Sequence, residues 1–339
     1  MRNKIKVLIV DDSLLYRETL SRALSADPLL EVVGSASDPF AARDMIIELL
    51  PDVLTLDVEM PKMNGIEFLR RLMPQYPLPV VMLSSLSGKV FEALNAGAVD
   101  FVTKPDLQYG TTMQSMINEL KVKIKIAASA NLSHWKSEFH EKHAVNSSKS
   151  TITTQVIAIG ASTGGTEATS TILRSLPNDM PGIVIVQHMP SLFTKMYADR
   201  LNGLCALEVK EAVTGDLVFS GRVLIAPGGY HMKIHKKASG FYVECLKGEN
   251  VNGHCPSVDV LFESVCAVVG KHSLGVILTG MGRDGANGLL AMRQKGAATL
   301  GQDEPSCVVY GMPKVAFDIG AVSKQVPLLN MAQAICAAL

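Results

Sequence analysis

Ser162, His188 and Asp284 are a hydroxyl, an imidazole and a carboxylate, each placed where an apolar run breaks off. They are the set from which a base-activated nucleophile is made. The imidazole deprotonates the hydroxyl, and the carboxylate orients the imidazole and stabilises its cation. Ser162 lies in residues 155–166 (QVIAIGASTGGT), where β-branched residues run into Gly160 and a helix is expected to begin after Gly164 and Gly165. A serine on such a turn has its hydroxyl lifted clear of the sheet, and the free N–H groups of the helix start can hold an oxyanion. His188 follows the apolar stretch 182–187, and Asp284 sits in the glycine-rich turn 280–285 after the stretch 273–279.

Each residue also has a plainer reading. Gly160-x-Ser162-x-Gly164 serves equally well as a structural turn, His188 as a hydrogen-bonded core histidine, and Asp284 as the N-cap of the helix expected over 286–294. A glycine-rich strand-to-helix turn can also cradle phosphate. That option lacks support, because neither the G-K-[ST] ending of a P-loop nor a full G-x-G-x-x-G is present. The chain order serine, histidine, aspartate differs from that of α/β-hydrolases and of both major serine-protease types.

The first half carries a different chemistry. Asp11, Asp12, Asp57, Ser84 and Lys104 each fall at or just beyond the end of an apolar strand-like run. Three carboxylates in one cleft repel one another, and a hard divalent cation such as Mg²⁺ with oxygen ligands relieves that repulsion. A lysine and a hydroxyl then complete a pocket for phosphoryl oxygens.

The elements that must position these residues follow from the periodicity. Strands are expected at 7–10, 53–57, 80–84 and 99–102, with helices over 14–25, 39–50, 65–72, 89–95 and 113–126. Strands buried on both faces and alternating with helices predict a doubly wound parallel sheet, whose ligands bind beyond the strands' carboxyl ends. The second half repeats the pattern, with a β-hairpin around Tyr230 to Val243 that gives His231 and His235 structural or rim roles. At 339 residues the chain exceeds the ~250–300 at which one core stops growing. The α/β architecture therefore divides into residues 1–124, a polar joint over 125–151, and residues 152–339. The joint holds His134, His140 and His143 beside Trp135; His140-x-x-His143 lacks partner cysteines for zinc, and Trp135 with Phe139 suits an anchoring helical turn.

Thirty-two basic residues balance thirty-two acidic ones, so no net field draws the chain to nucleic acid or an anionic membrane. No basic recognition helix follows the joint, which argues against a transcription-factor output. The six cysteines have no C-x-x-C spacing and suit free thiols in a reducing compartment. The early charges exclude a signal peptide, and no apolar run reaches the ~20 residues of a membrane helix. A soluble, cytoplasmic protein is expected.

Residues 1–124 resemble a response-regulator receiver domain through Asp11-Asp12, Asp57 followed by Met60-Pro61 and Asn64-Gly65, Ser84, and Thr103-Lys104-Pro105. The resemblance implies a flavodoxin-like fold and phosphorylation of Asp57 by a histidine kinase. It further implies Mg²⁺ on Asp11, Asp12 and Asp57, Ser84 and Lys104 against the phosphoryl group, and a cis candidate at Lys104–Pro105. Nearly the whole chain resembles the chemotaxis methylesterase family, CheB. The residues that carry this are 159–165 (IGASTGG), 187–189 (QHM), 226–232 (APGGYHM), 257–259 (SVD) and 278–285 (LTGMGRDG). That likeness implies a methylesterase catalytic domain over 152–339 that hydrolyses γ-glutamyl methyl esters on the cytoplasmic helices of chemoreceptors and, in some members, deamidates receptor glutamines. Ser162, His188 and Asp284 would be catalytic without a cofactor. The backbone N–H groups of Thr163 and Met281 would hold the oxyanion, and Arg283, Met189 and Tyr230 would line the cleft. The receiver is expected to cover that cleft until phosphorylated. The competing expectation is a non-enzymatic adaptor that binds receptors or kinase.

Overall fold

The computed structural model describes residues 4–61, 63–85, 89–105, 112–132 and 154–339. The chain divides into two compact units, Met1–Phe139 and His140–Leu339.

The first unit alternates strand and helix throughout: β1 (Ile5–Val10), α1 (Leu14–Ser25), β2 (Leu30–Ala36), α2 (Pro39–Leu49), β3 (Val53–Asp57), α3 (Gly65–Gln75), β4 (Val80–Ser84), α4 (Val90–Asn95), β5 (Asp100–Thr103) and α5 (Met113–Ala127). Its five strands are parallel in the order β2-β1-β3-β4-β5. The direction of winding reverses between β1 and β3, and a ligand cleft opens at the carboxyl ends of those two strands. Every residue of β3 and β4 is buried, which accounts for their uninterrupted apolar reading. The edge strand β2 escapes a search for such runs because Glu31, Gly34 and Ser35 interrupt it. Ser13, Asp38, Asn64 and Thr112 cap α1, α2, α3 and α5 through their side chains, satisfying first-turn N–H groups.

The second unit comprises β6 (Val156–Ala161), α6 (Gly165–Ser175), β7 (Gly182–Gln187), α7 (Ser191–Asn202), β8 (Glu208–Glu211), β9 (Leu217–Val218), β10 (Arg222–Ile225), β11 (His231–Lys237) and β12 (Gly240–Leu246). It continues with α8 (Val258–Val268), β13 (Ser273–Ile277), α9 (Ala286–Gln294), β14 (Ala298–Gln302), α10 (Met312–Asp318), β15 (Lys324–Val326) and α11 (Leu328–Ala337). Seven parallel strands form one sheet in the order β15-β14-β13-β6-β7-β10-β8. The expected hairpin, β11 with β12, joins β9 in a separate antiparallel sheet. The three central strands are buried at every position. Each Val or Ile among them contributes about 1.5–3 kcal/mol of burial. Helix α8 packs on α9 and on the hairpin, and α6 packs on α11. The core beneath α8 and α9 includes Val258, Phe262, Ile277 and Leu289.

Two expectations change. The joint begins later than residue 125, because α5 runs through Ala127 and buries Ile124 and Ala127. The cis peptide among the described residues is Cys255–Pro256, not Lys104–Pro105. His134, Trp135, Phe139, His140 and His143 lie outside the described residues. No described helix is long and apolar enough to cross a membrane.

Candidate functional site

In the second unit, parallel pairing brings the three turns together at the carboxyl ends of the central strands. Ala161 is in register with Gln187 and Gly160 with Ile277, so the chain leaves β6, β7 and β13 side by side. The Ser162 N–H donates to the Thr279 carbonyl (3.0 Å) and the His188 N–H to the Ala161 carbonyl (3.1 Å), which extends the sheet hydrogen bonding to the site itself.

Asp284 is buried and accepts from five donors. Its Oδ1 takes Ser257 Oγ (2.8 Å), Asn252 Nδ2 (2.9 Å) and the Asp259 N–H (3.2 Å); its Oδ2 takes the Val258 N–H (2.7 Å) and His188 Nε2 (2.9 Å). Val258 and Asp259 open α8, so the carboxylate sits on that helix's N-terminus, where partial positive charge favours an anion. The helix that follows Asp284 is capped by Gly285 at φ +88° with no side-chain bond, so Asp284 caps α8 rather than α9. Burial by itself would raise the pKa of this carboxyl. The bonds from His188, Asn252 and Val258 overcome burial and hold the group well below the usual carboxylate range.

An ionised Asp284 fixes the His188 tautomer with the proton on Nε2. The other nitrogen, Nδ1, is buried and has no hydrogen-bond partner, so the Ser162 hydroxyl does not bond it in this arrangement. Catalytic hydrogen bonds are often long in free enzymes and tighten with substrate. His188 also stacks on His254, the ring centroids 3.7 Å apart and the planes 11° apart. Burial, then the neighbouring His188, pushes the His254 imidazole down to about 4, so it stays neutral near pH 7.

Ser162 is held by its backbone. Its carbonyl accepts the Gly165 N–H (2.7 Å) and Gln187 Nε2 (2.8 Å). A Cβ at Gly280 would stand 2.6 Å from Ser162 Cβ, so this close approach requires glycine. Thr279 ties the turns together, its hydroxyl donating to the Thr163 carbonyl (3.0 Å) and accepting the Val309 N–H (2.9 Å). The Met281 N–H makes no hydrogen bond among the described residues, and its side chain is half exposed beside the exposed Arg283. Met189 is buried and Tyr230 partly so. His231 is structural: Nδ1 accepts the Ser257 N–H (3.2 Å) and Nε2 meets the Glu249 carbonyl (2.8 Å).

In the first unit, Asp11, Asp12 and Asp57 bring carboxylate oxygens within 4.8 Å of one another, with Asp11 and Asp57 buried and Asp12 exposed. Lys104 Nζ donates to Asp57 Oδ2 (2.7 Å) and Asp11 Oδ2 (2.9 Å) and lies 4.6 Å from the centre of the Tyr16 ring. Burial pushes the Asp57 carboxyl up to about 6, with the nearby Asp11 charge adding to the rise and Lys104 opposing it. A single lysine thus leaves the carboxylates short of positive charge, and an all-oxygen cluster of this kind fits a hard divalent cation. The Ser84 hydroxyl, at the end of β4, donates to the Ser85 carbonyl (2.6 Å).

Sequence reasoning missed Asn252, His254, Ser257 as a ligand of Asp284, and Thr279. The Asn252-Gly253 pair is a tight-turn signal, but the partner of that turn is 32 residues away (284 minus 252) and carries no local trace.

The CheB methylesterase family profile matches residues 157–335, and the response regulator receiver domain profile matches residues 7–118. A protein-glutamate methylesterase/protein-glutamine glutaminase of Syntrophomonas wolfei is 60% identical over 332 residues, covering 98% of this chain and 97% of its own. A protein of the same description from Syntrophotalea carbinolica is 55% identical, over 98% of this chain and 97% of its own. The solved Thermotoga maritima CheB methylesterase catalytic domain superposes with a TM-score of 0.54 at 33% identity, covering 55% of this chain and 99% of that domain. Parallel α/β units, a serine, histidine and aspartate gathered at the carboxyl ends of the central strands and this breadth of likeness lead to one assignment: the chain belongs to the CheB methylesterase family and joins a response regulator receiver domain to a methylesterase domain.

Proposed function

We propose that this protein is a phosphorylation-regulated serine hydrolase that demethylates γ-glutamyl methyl esters of chemoreceptors during chemotactic adaptation and deamidates receptor glutamines by the same route. Its receiver runs to the end of α5 at Ala127, a joint follows to residue 151, and the catalytic domain spans 152–339. One observation carries the chemistry: His188 Nε2 hydrogen-bonds the Asp284 carboxylate (2.9 Å), which leaves Nδ1 without a hydrogen-bond partner at the end of the strand paired with the one that leads into Ser162.

In the first half-reaction the Ser162 Oγ–H bond breaks, the proton passes to Nδ1, and Oγ bonds to the ester carbonyl carbon. The resulting oxyanion is held by the N–H groups of Met281 and Thr163, each such donor being worth about 3 kcal/mol in the transition state. Collapse expels the methoxy oxygen, which takes the proton from Nδ1 and leaves as methanol. Water then repeats the sequence: it gives its proton to Nδ1, attacks the acyl carbon, and releases glutamate as Oγ regains the proton. A glutamine follows the same path with ammonia leaving. Asp284 stays ionised throughout and stabilises the imidazolium.

Regulation enters at Asp57, which takes a phosphoryl group from the chemotaxis histidine kinase. Asp11, Asp12 and Asp57 would hold Mg²⁺, which supplies charge neutralisation for the phosphoryl oxygens. Lys104 contributes a further positive charge and Ser84 a hydroxyl.

Ser162→Ala tests the catalytic reading. Methanol release from methylated receptor membranes should fall by about 10³-fold or more while receptor binding is kept. An unchanged rate would remove Ser162 as the nucleophile, and a loss that merely follows weakened receptor binding would leave the adaptor reading in its place.

A further inference from the structure

The catalytic reading uses neither side chain of the tight turn at residues 251–254. Val251 and His254 form an antiparallel bridge with both N–H···O bonds at 3.0 Å, and the two residues between them, Asn252 (φ +53°) and Gly253 (φ +85°), are left-handed. Two positive φ values in a two-residue loop suit Asn-Gly and few other pairs, so the turn is locally specified and stiff. Its tip is exposed, yet its side chains reach inward. Asn252 Nδ2 donates to Asp284 Oδ1 (2.9 Å) and to Asp259 Oδ2 (2.7 Å), standing between two carboxylates. His254 lays its ring on that of His188 at 3.7 Å. One four-residue turn therefore touches both members of the His188–Asp284 pair, from a stretch far from either in sequence.

The geometry points to this turn as the positioning element of that pair. Asn252 fixes the Asp284 carboxylate so that Oδ2 meets Nε2, and it bridges the repulsion from Asp259. His254 fixes the plane of the His188 ring and so the direction of the Nδ1 lone pair. Neither residue takes or gives a proton in the reaction. The inference rests on the proposed hydrolase reading, in which Nδ1 is the base.

The test uses the full-length protein and methylated receptor membranes. Asn252→Gly keeps the left-handed turn and removes the amide, His254→Ala removes the ring, and His254→Phe keeps a stacking ring that cannot titrate. Asn252→Gly and His254→Ala should each lower kcat by about 10- to 100-fold with KM within about twofold, and His254→Phe should recover to within about threefold of the parent. The downfield proton resonance of the His188–Asp284 bond, followed in a Ser162→Ala background, should move or vanish with Asn252→Gly, and thermal melting checks that each variant is folded. Loss of the inference would appear as kcat within twofold of the parent for both truncations and an unmoved resonance. An inactive His254→Phe variant that is folded would also overturn the stacking role, because a ring alone would then not suffice. Failure of the hydrolase reading looks different: Ser162→Ala itself would remain active.

Discussion

Asp284 shows how much one carboxylate can depend on residues outside its own motif. Five donors converge on it, two of them the opening amides of α8. Because its folded-state pKa is depressed, the group adds stability that is fully present above the ordinary carboxylate pKa and is lost as pH falls through the depressed one. Urea unfolding of Asp284→Asn against the parent should therefore show a constant stability difference from pH 8 down to about 5 that shrinks below about pH 4. Activity of the same variant should fall by about 10³-fold or more at every pH, since the amide holds the imidazole in the wrong tautomer. Ser162 and His188 stood out in the sequence because each directly follows an apolar strand, and Asp284 because it lies in a glycine-rich turn after a third. Ser257 and Thr279 did not, because a hydroxyl's partner is chosen by tertiary placement and leaves no periodic mark.

At the scale of elements, buried central strands read clearly and edge strands did not. The runs in β1, β3, β4, β6, β7 and β13 are continuous because both faces are covered. By contrast β8, Glu208–Glu211, has one buried residue in four, so its sequence looks like a loop. Turn chemistry also operates here. A Cβ at Gly65 would lie 2.0 Å from the Asp57 carbonyl oxygen, backbone against backbone, so α3 can begin where it does only with glycine. Gly65→Ala should cost about 1–3 kcal/mol of stability by thermal or denaturant unfolding. Displacing the Asp57 strand end should also slow its labelling by a small-molecule phosphodonor.

For the whole molecule, the proposed reading makes the receiver the source of a signal and the methylesterase domain its output. If phospho-Asp57 shifts the population of active molecules, a phosphodonor with Mg²⁺ should raise methanol release by about tenfold, a shift of ~1.4 kcal/mol. Asp57→Asn should abolish that response and leave the basal rate. A fragment spanning 152–339 should likewise outpace the intact unphosphorylated chain, and equal rates would contradict inhibition by the receiver. The two-part organisation was visible in the sequence through its length and the polar stretch between two strand-helix series. The antiparallel sheet of β9, β11 and β12 was visible only as a hairpin, because the third strand is two residues long.

The seat of Asp284 on the opening amides of α8 has a consequence for control. Main-chain amides have no proton to surrender across the biological range, so Asp284 keeps its negative charge under mild acidification. On the proposed reading, throttling the enzyme then means shutting the door on its substrate or disturbing the alignment of the imidazole.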